Sequence, residues 1–421
     1  MLADNGVGGR QTAGMSENIQ RTNRLGSLEA LRGVAALALV LFHTRAMPPL
    51  QVPAQLKFVL QTLAYGVPLF YAISAFSLFL GYEHALDNPA GLKKFYLRRF
   101  FRIAPLFYTM LLVWYLIRHY HLHVATMGRD IWLNATFAFG LLPGQHEGIV
   151  WASWSIGVEW IFYALFPLFL VLAGSRWSAA VLFGIGIFIS AATPKWLSNL
   201  STVLRSFSYM SFPAHSVFFC SGILAYRLAR PRRNIEAGWL KAAGPALPWL
   251  LLAGSALWLW NGWSGPLNVI LNRAQLALQW SAVAWLGLLI GAIKGLPWLV
   301  NNSLLRYAGK LSFGLYLTNP PVIYFLVNKG VFRWFYDSIS SQGLAFACCA
   351  LTSVVAVGLT AQLAYTLVEH PGIQLGERLW KHLQARQAEK PVPKPLPGVE
   401  AALPTAAQKT APERAPSTAA H

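Results

Sequence analysis

Three stretches of this chain run without a charged residue for longer than a lipid bilayer is thick. Lys57 and Glu83 bracket 25 uncharged residues, Lys241 and Arg273 bracket 31, and Asp337 and Glu369 bracket 31. A helix needs about 20 apolar residues to cross the hydrocarbon core, and uncharged runs of this length read as transmembrane helices. Only 12% of the residues are charged, against roughly 25% in a soluble domain. The pattern predicts an all-α fold, a polytopic integral membrane bundle of about ten transmembrane helices. Spans are expected near 26–46, 60–82, 103–120, 150–172, 178–194, 209–227, 244–261, 276–294, 311–328 and 345–368.

The formal net charge of +19 raises nucleic acid as a partner. The basic residues, however, sit in short clusters between apolar runs, which is the positive-inside pattern of a protein whose partner is the lipid bilayer. With the N-terminus inside, 14 Lys and Arg fall in internal loops, among them Lys93, Lys94, Arg98, Arg99 and Arg102. Nine fall in external loops, among them Arg45, Arg118 and Arg273. The asymmetry predicts an N-in, C-in topology. Cys220, Cys348 and Cys349 lie in apolar stretches and imply no disulfide framework.

Residues 1–24 are polar and are expected to form a disordered cytoplasmic N-terminus. A polar leader of this length, with no small-residue cleavage site after the apolar run, argues against a cleaved signal peptide. Residues 25–380 are expected to form the bundle. From 385 to 421, seven prolines among Ala, Lys and Thr read as a disordered cytoplasmic tail.

Ionisable groups inside apolar runs are costly and mark a cavity or a partner. Arg32 and His43 lie 11 residues apart in the first span, about 16 Å along a helix. Glu29, three residues before Arg32, shares its face. The plain alternative is an arginine snorkelling to the cytoplasmic edge and a histidine satisfied near the outer one. Glu159 sits inside "WASWSIGVEWIFYALFP" and must be paired, hydrogen-bonded or protonated. A clamp on an arginine and an active-site role are both open. In "KKFYLRRFFRIAP", Arg99 and Arg102 share a helical face and suit phosphate, and Pro105 fits a first helical turn. A charge cluster beside anionic headgroups is the ordinary alternative. The "HYHLH" run at 119–123 lacks a carboxylate or cysteine to complete a metal site, so no metal is expected.

The segments "LEALRGVAALALVLFH", "GVPLFYAISAF", "RRFFRIAPLFY", "WSIGVEWIFYALFP", "LSFGLYLTNPPVI" and "YTLVEHPGIQLGERL" together resemble the acyltransferase 3 family of membrane O-acyltransferases, over residues 25 to 380. The resemblance implies a bacterial inner-membrane, multi-pass enzyme. It would move an acyl group from cytoplasmic acyl-CoA, with acetyl-CoA the expected donor, to a hydroxyl of a surface polysaccharide or its lipid-linked precursor. The family's first-span Arg and His correspond to Arg32 and His43, its R-x-x-R to Arg99 and Arg102, and its motif Glu to Glu159. Gly66, Phe70 and Ser74 fall in the family's G-V-x-x-F-F-x-x-S-G-F segment. The resemblance implies a catalytic role for His43, as general base or as a covalent acyl carrier, and for Glu159, which would orient His43 or clamp an arginine. It implies CoA binding by Arg32, Arg99 and Arg102, and a substrate path past Ser74 and Asn319. Two positions depart from the family: Ala75 replaces a usual Gly, and Asn319 replaces a frequent His and cannot shuttle a proton. No SGNH hydrolase-like segment follows, so the acceptor is expected to be handled by the bundle or a partner. An acyltransferase acting on a small glycoside or antibiotic, and a transporter or flippase without chemistry, are the competing readings.

Overall fold

The computed structural model describes residues 7–388 apart from 49, 54–55, 58–59, 61, 198, 230–272, 295 and 297–298. The expected span 244–261 and the proline-rich tail beyond 388 lie outside the described residues. The chain divides into two compact units, Met1–Glu377 and Arg378–His421, and the fold and site below belong to the first.

Among the described residues the regular structure is helical, with no strand. The helices are α1 (Val7–Ala46), α2 (Gly66–Tyr82), α3 (Pro89–Tyr120), α4 (Gly128–Ala135), α5 (Trp154–Leu172), α6 (Arg176–Leu197), α7 (Thr202–Tyr209) and α8 (Phe212–Ala229). After the undescribed stretch come α9 (Arg273–Lys294), α10 (Ser303–Lys310), α11 (Ser312–Asn328), α12 (Val331–Ser338) and α13 (Gln342–Ala364). A π-helical turn, Tyr365–Glu369, joins α13 to α14 (His370–Ala388). Six described helical stretches are long and apolar enough to cross a membrane: Gly26–Ala46, Leu63–Tyr82, Ala90–Tyr120, Trp154–Leu172, Arg176–Leu197 and Gln342–Arg386. They overlap six of the expected spans, the last running on to Arg386 past the expected end at 368. The expected spans 209–227 and 311–328 appear as α8 and α11, of 18 and 17 residues, and 276–294 as α9.

Two boundaries differ from the sequence reading. α1 extends back to Val7 through residues expected to be disordered, and no proline interrupts it. α3 begins at Pro89, well before the expected start near 103. The Asn88 side chain accepts from the Ala90 N–H at 2.8 Å and proline occupies the first turn, a strong start signal. Pro105 is therefore interior to α3 rather than at its start. The consequence for the site is direct, because Arg98, Arg99 and Arg102 become rigid helix positions instead of loop residues.

Backbones come very close where side chains are absent. A Cβ on Gly309 of α10 would lie 1.8 Å from the Glu29 carbonyl oxygen of α1, and one on Gly33 would lie 2.1 Å from that of Leu305. Small residues at such crossings let helices pack without a hydrophobic driving force between them. The core between α2, α3, α5 and α8 is filled by phenylalanines, including Phe79, Phe95, Phe107, Phe162, Phe166 and Phe219. The opposite faces stay apolar and exposed. Leu351, Val355, Leu359, Leu363 and Leu367 form an outward stripe at four-residue spacing, a face with no reason to meet water.

Candidate active site

Two cavities meet inside the first unit. The first is lined by Arg32 from α1, Ser74 from α2, Arg99 and Arg102 from α3, and Glu159 and Tyr163 from α5, with Tyr316 of α11 at one wall. Its volume of about 80 Å³ leaves room for several waters. The second, of about 460 Å³, is lined by His43, Trp114, Arg118, Glu147, Trp151, Trp154 and Tyr209, among others. Val67 and Tyr316 line both. The two chambers are thus neighbours across Tyr316.

In the first chamber Glu159 Oε1 accepts from Ser74 Oγ at 2.6 Å and from the Tyr163 hydroxyl. The Arg99 guanidinium lies 5.5 Å over the Tyr163 ring. Arg32 is in electrostatic reach of Arg102, Arg99 and Glu159, so Glu159 sits among three cations. Arg98 points elsewhere: its Nε is 2.7 Å from Glu377 Oε1 and its Nη2 donates to Oε2 at 3.0 Å. The basic cluster read from the sequence therefore splits into one structural clamp and two cavity-facing arginines. Glu29 stays exposed while Arg32 turns inward.

In the second chamber His43 is buried. Its Nδ1 lies 2.6 Å from Asn319 Oδ1. The Asn319 amide nitrogen donates to the carbonyls of Leu315 and Tyr316 at 2.9 and 2.8 Å, which fixes Oδ1 as an acceptor. Nδ1 must then carry the proton, and Nε2 keeps its free electron pair. Trp151 holds the ring edge-on at 5.2 Å between centroids. Of the two roles left open for Glu159, orienting His43 is filled by Asn319, and Glu159 sits with the arginines.

Tyr316 is pinned between the chambers. Its hydroxyl donates to the Ala152 carbonyl at 2.7 Å and accepts from Ser155 Oγ at 2.5 Å. Ala152 holds a φ of 66°, a left-handed conformation that costs a non-glycine residue of order 1 kcal/mol or more. The loop before α5 also carries a relay outside the spans. Gly144 N–H donates to His146 Nδ1 at 3.2 Å, so Nε2–H donates to Ser206 Oγ at 3.0 Å, and Ser206 donates to Glu147 Oε1 at 3.1 Å. Burial lowers the pKa of His146 below its usual 6.5, against the pull of Glu147, which favours this neutral form.

Sequence reasoning missed Trp151, Tyr316, Tyr163 and Glu369. Glu369 is 1% exposed, both its carboxylate oxygens are buried without a hydrogen-bond partner, and it lies in electrostatic reach of Arg102 and Arg32. Its signal was its own: a glutamate ending a 31-residue uncharged run. Among the described residues no group of three or more His, Cys, Asp or Glu is placed to hold a metal ion.

The chain matches the acyltransferase domain family over residues 25–362, well over half its length. It belongs to the acyltransferase 3 family. A protein named "Putative acetyltransferase ORF330" from Acidianus two-tailed virus is 28% identical over 165 residues, a match spanning 38% of this chain and 44% of that protein. No solved structure matches the chain significantly. The match to the viral protein covers less than half of that protein's length.

Proposed function

We propose that the chain is an integral membrane O-acyltransferase of the bacterial inner membrane. It takes the acyl group of cytoplasmic acyl-CoA, acetyl-CoA in the first instance, and transfers it to a hydroxyl of a surface polysaccharide or its lipid-linked precursor. The observation that carries this reading is the junction of the two chambers at Tyr316. One side offers three arginines and the other offers a histidine with a fixed tautomer.

In this reading Arg32, Arg99 and Arg102 hold the CoA phosphates, which guanidinium groups bind through paired charge-assisted hydrogen bonds. The pantetheine arm passes between Val67 and Tyr316 and presents the thioester near His43. Nε2 removes the proton from the acceptor hydroxyl as its oxygen attacks the thioester carbonyl. The new ester forms, the carbon–sulfur bond breaks, and the imidazolium returns its proton to the departing CoA thiolate. Asn319 offers His43 orientation without a countercharge, so the proton is not held back. Ser74 and Tyr163 keep Glu159 beside the arginines, where it spaces their charges. The loop charge asymmetry supports the N-in, C-in orientation and ten spans, and the exposed apolar stripe on α13 supports immersion in lipid.

The test is release of CoA thiol from acetyl-CoA by the purified protein, with the mass gain of an added glycan acceptor followed in the same reaction. Transfer that depends on His43 is expected. Thiol release no faster than in buffer, or undiminished in His43→Ala, would sink the reading.

A further inference from the structure

The second chamber holds a cation that transfer chemistry does not use. Arg118, two residues from the end of α3, lines the cavity with His43. Its Nε is buried and has no hydrogen-bond partner, and no described carboxylate forms an ion pair with it. Glu147 lines the same cavity, yet it is engaged by Ser206 rather than by Arg118. A partly buried guanidinium facing a cavity with no carboxylate paired to it is costly unless an anion arrives to complete it. The walls around it are Trp114, Trp151 and Trp154, flat apolar faces suited to the carbon face of a sugar ring. The chamber is therefore apolar on its sides, cationic at Arg118, anionic at Glu147, where Ser206 donates, and basic at His43.

We propose that Arg118 binds an oxyanion carried by the acceptor, so that the acceptor is an acidic glycoside. Its charged group is a sugar carboxylate or phosphate held at Arg118, while its reacting hydroxyl faces His43. This rests on the reading of the second chamber as the acceptor's. A guanidinium binds either oxyanion in the same fork geometry, so the two sources are separated by experiment.

The experiment reads quenching of tryptophan fluorescence in the full-length protein in detergent, with no donor present. Methyl glucuronide, glucose 1-phosphate and neutral methyl glucoside are titrated into wild type, Arg118→Ala and Arg118→Lys. One of the two acidic ligands is expected to bind at least about tenfold tighter than the neutral one, a typical margin for a hydrogen bond to a charged partner. Which acid wins identifies the carboxylate or the phosphate. The margin should vanish in Arg118→Ala and survive in part in Arg118→Lys, with thermal unfolding confirming that both variants fold. Equal binding of acidic and neutral ligands, a margin that survives Arg118→Ala, or no saturable quenching by any ligand each overturns the proposal. Acetyl-CoA consumption by the same preparations separates the two failures. Acidic-ligand binding without thioester chemistry sinks only the transfer reading, and transfer indifferent to charge sinks only this one.

Discussion

At the scale of single residues, His43 and Asn319 divide one task. In the proposed mechanism His43 is asked for proton transfer, and Asn319 for the tautomer that makes Nε2 the base. His43→Ala is expected to lower transfer by roughly 10²–10⁴-fold, the usual contribution of a positioned base. Titration calorimetry with CoA should find binding nearly unchanged. Arg99→Ala or Arg102→Ala should do the reverse, weakening CoA binding by roughly 1.5–3 kcal/mol. A His43→Ala variant that binds CoA as poorly as the arginine variants would show that the chambers do not divide binding from chemistry. Asn319→Leu keeps the bulk and removes the acceptor on Nδ1. It should reduce kcat while leaving the donor KM in place, and an unaltered kcat would show that the tautomer is set elsewhere. The ionisable residues of this site were legible in the sequence because a charge inside an apolar run is costly and so conspicuous. The pairing of His43 with Asn319 was not, since the two are 276 positions apart and no local periodicity links them. Trp151 and Tyr316 were equally silent: where 14% of the chain is aromatic, one more ring carries no signal.

At the scale of helices, the apolar runs located six helices that can cross a membrane, while the ends of helices escaped. The start of α3 was set by the cap at Asn88, a local hydrogen bond, and not by hydrophobicity, which begins only after the arginines. That shift matters to the chemistry, because it places Arg99 and Arg102 one turn apart on a rigid helix that reaches the cavity. The crossing of α1 and α10 holds Arg32 in the same cavity, and it depends on two glycines. Gly309→Val would drive a side chain into the Glu29 carbonyl, 1.8 Å from its Cβ. Overpacking of this kind costs about 1–3 kcal/mol or more, and a lowered Tm in detergent should report it. Gly358→Ala in α13 is the control, with nothing within 4 Å of the added Cβ. It should be neutral or gain up to about 1 kcal/mol in helix propensity. Equal Tm values for the two variants would show that the α1–α10 crossing does not limit stability.

For the whole molecule, the proposed transfer mechanism requires the arginine chamber to open to the cytoplasm, where acyl-CoA is found. The ordering of charges along the chain makes the same demand: Arg99 and Arg102 belong to the richer basic set between the apolar runs, 14 residues against nine, and such basic segments stay inside. α3 tests this with its two ends. Lys93 is exposed near the start of the helix and Gly128 is exposed just beyond its end, with open space around an added Cβ. If α3 crosses the membrane, these two positions lie on opposite sides. In a background with Cys220, Cys348 and Cys349 replaced, Lys93→Cys should resist an impermeant thiol reagent applied to intact cells, and Gly128→Cys should react. Permeabilising the membrane should then expose Lys93→Cys, which excludes burial as the cause of its protection. Labelling of Lys93→Cys from outside would place the arginines on the side that lacks CoA. It would overturn the proposed donor together with the orientation, since neither stands without the other.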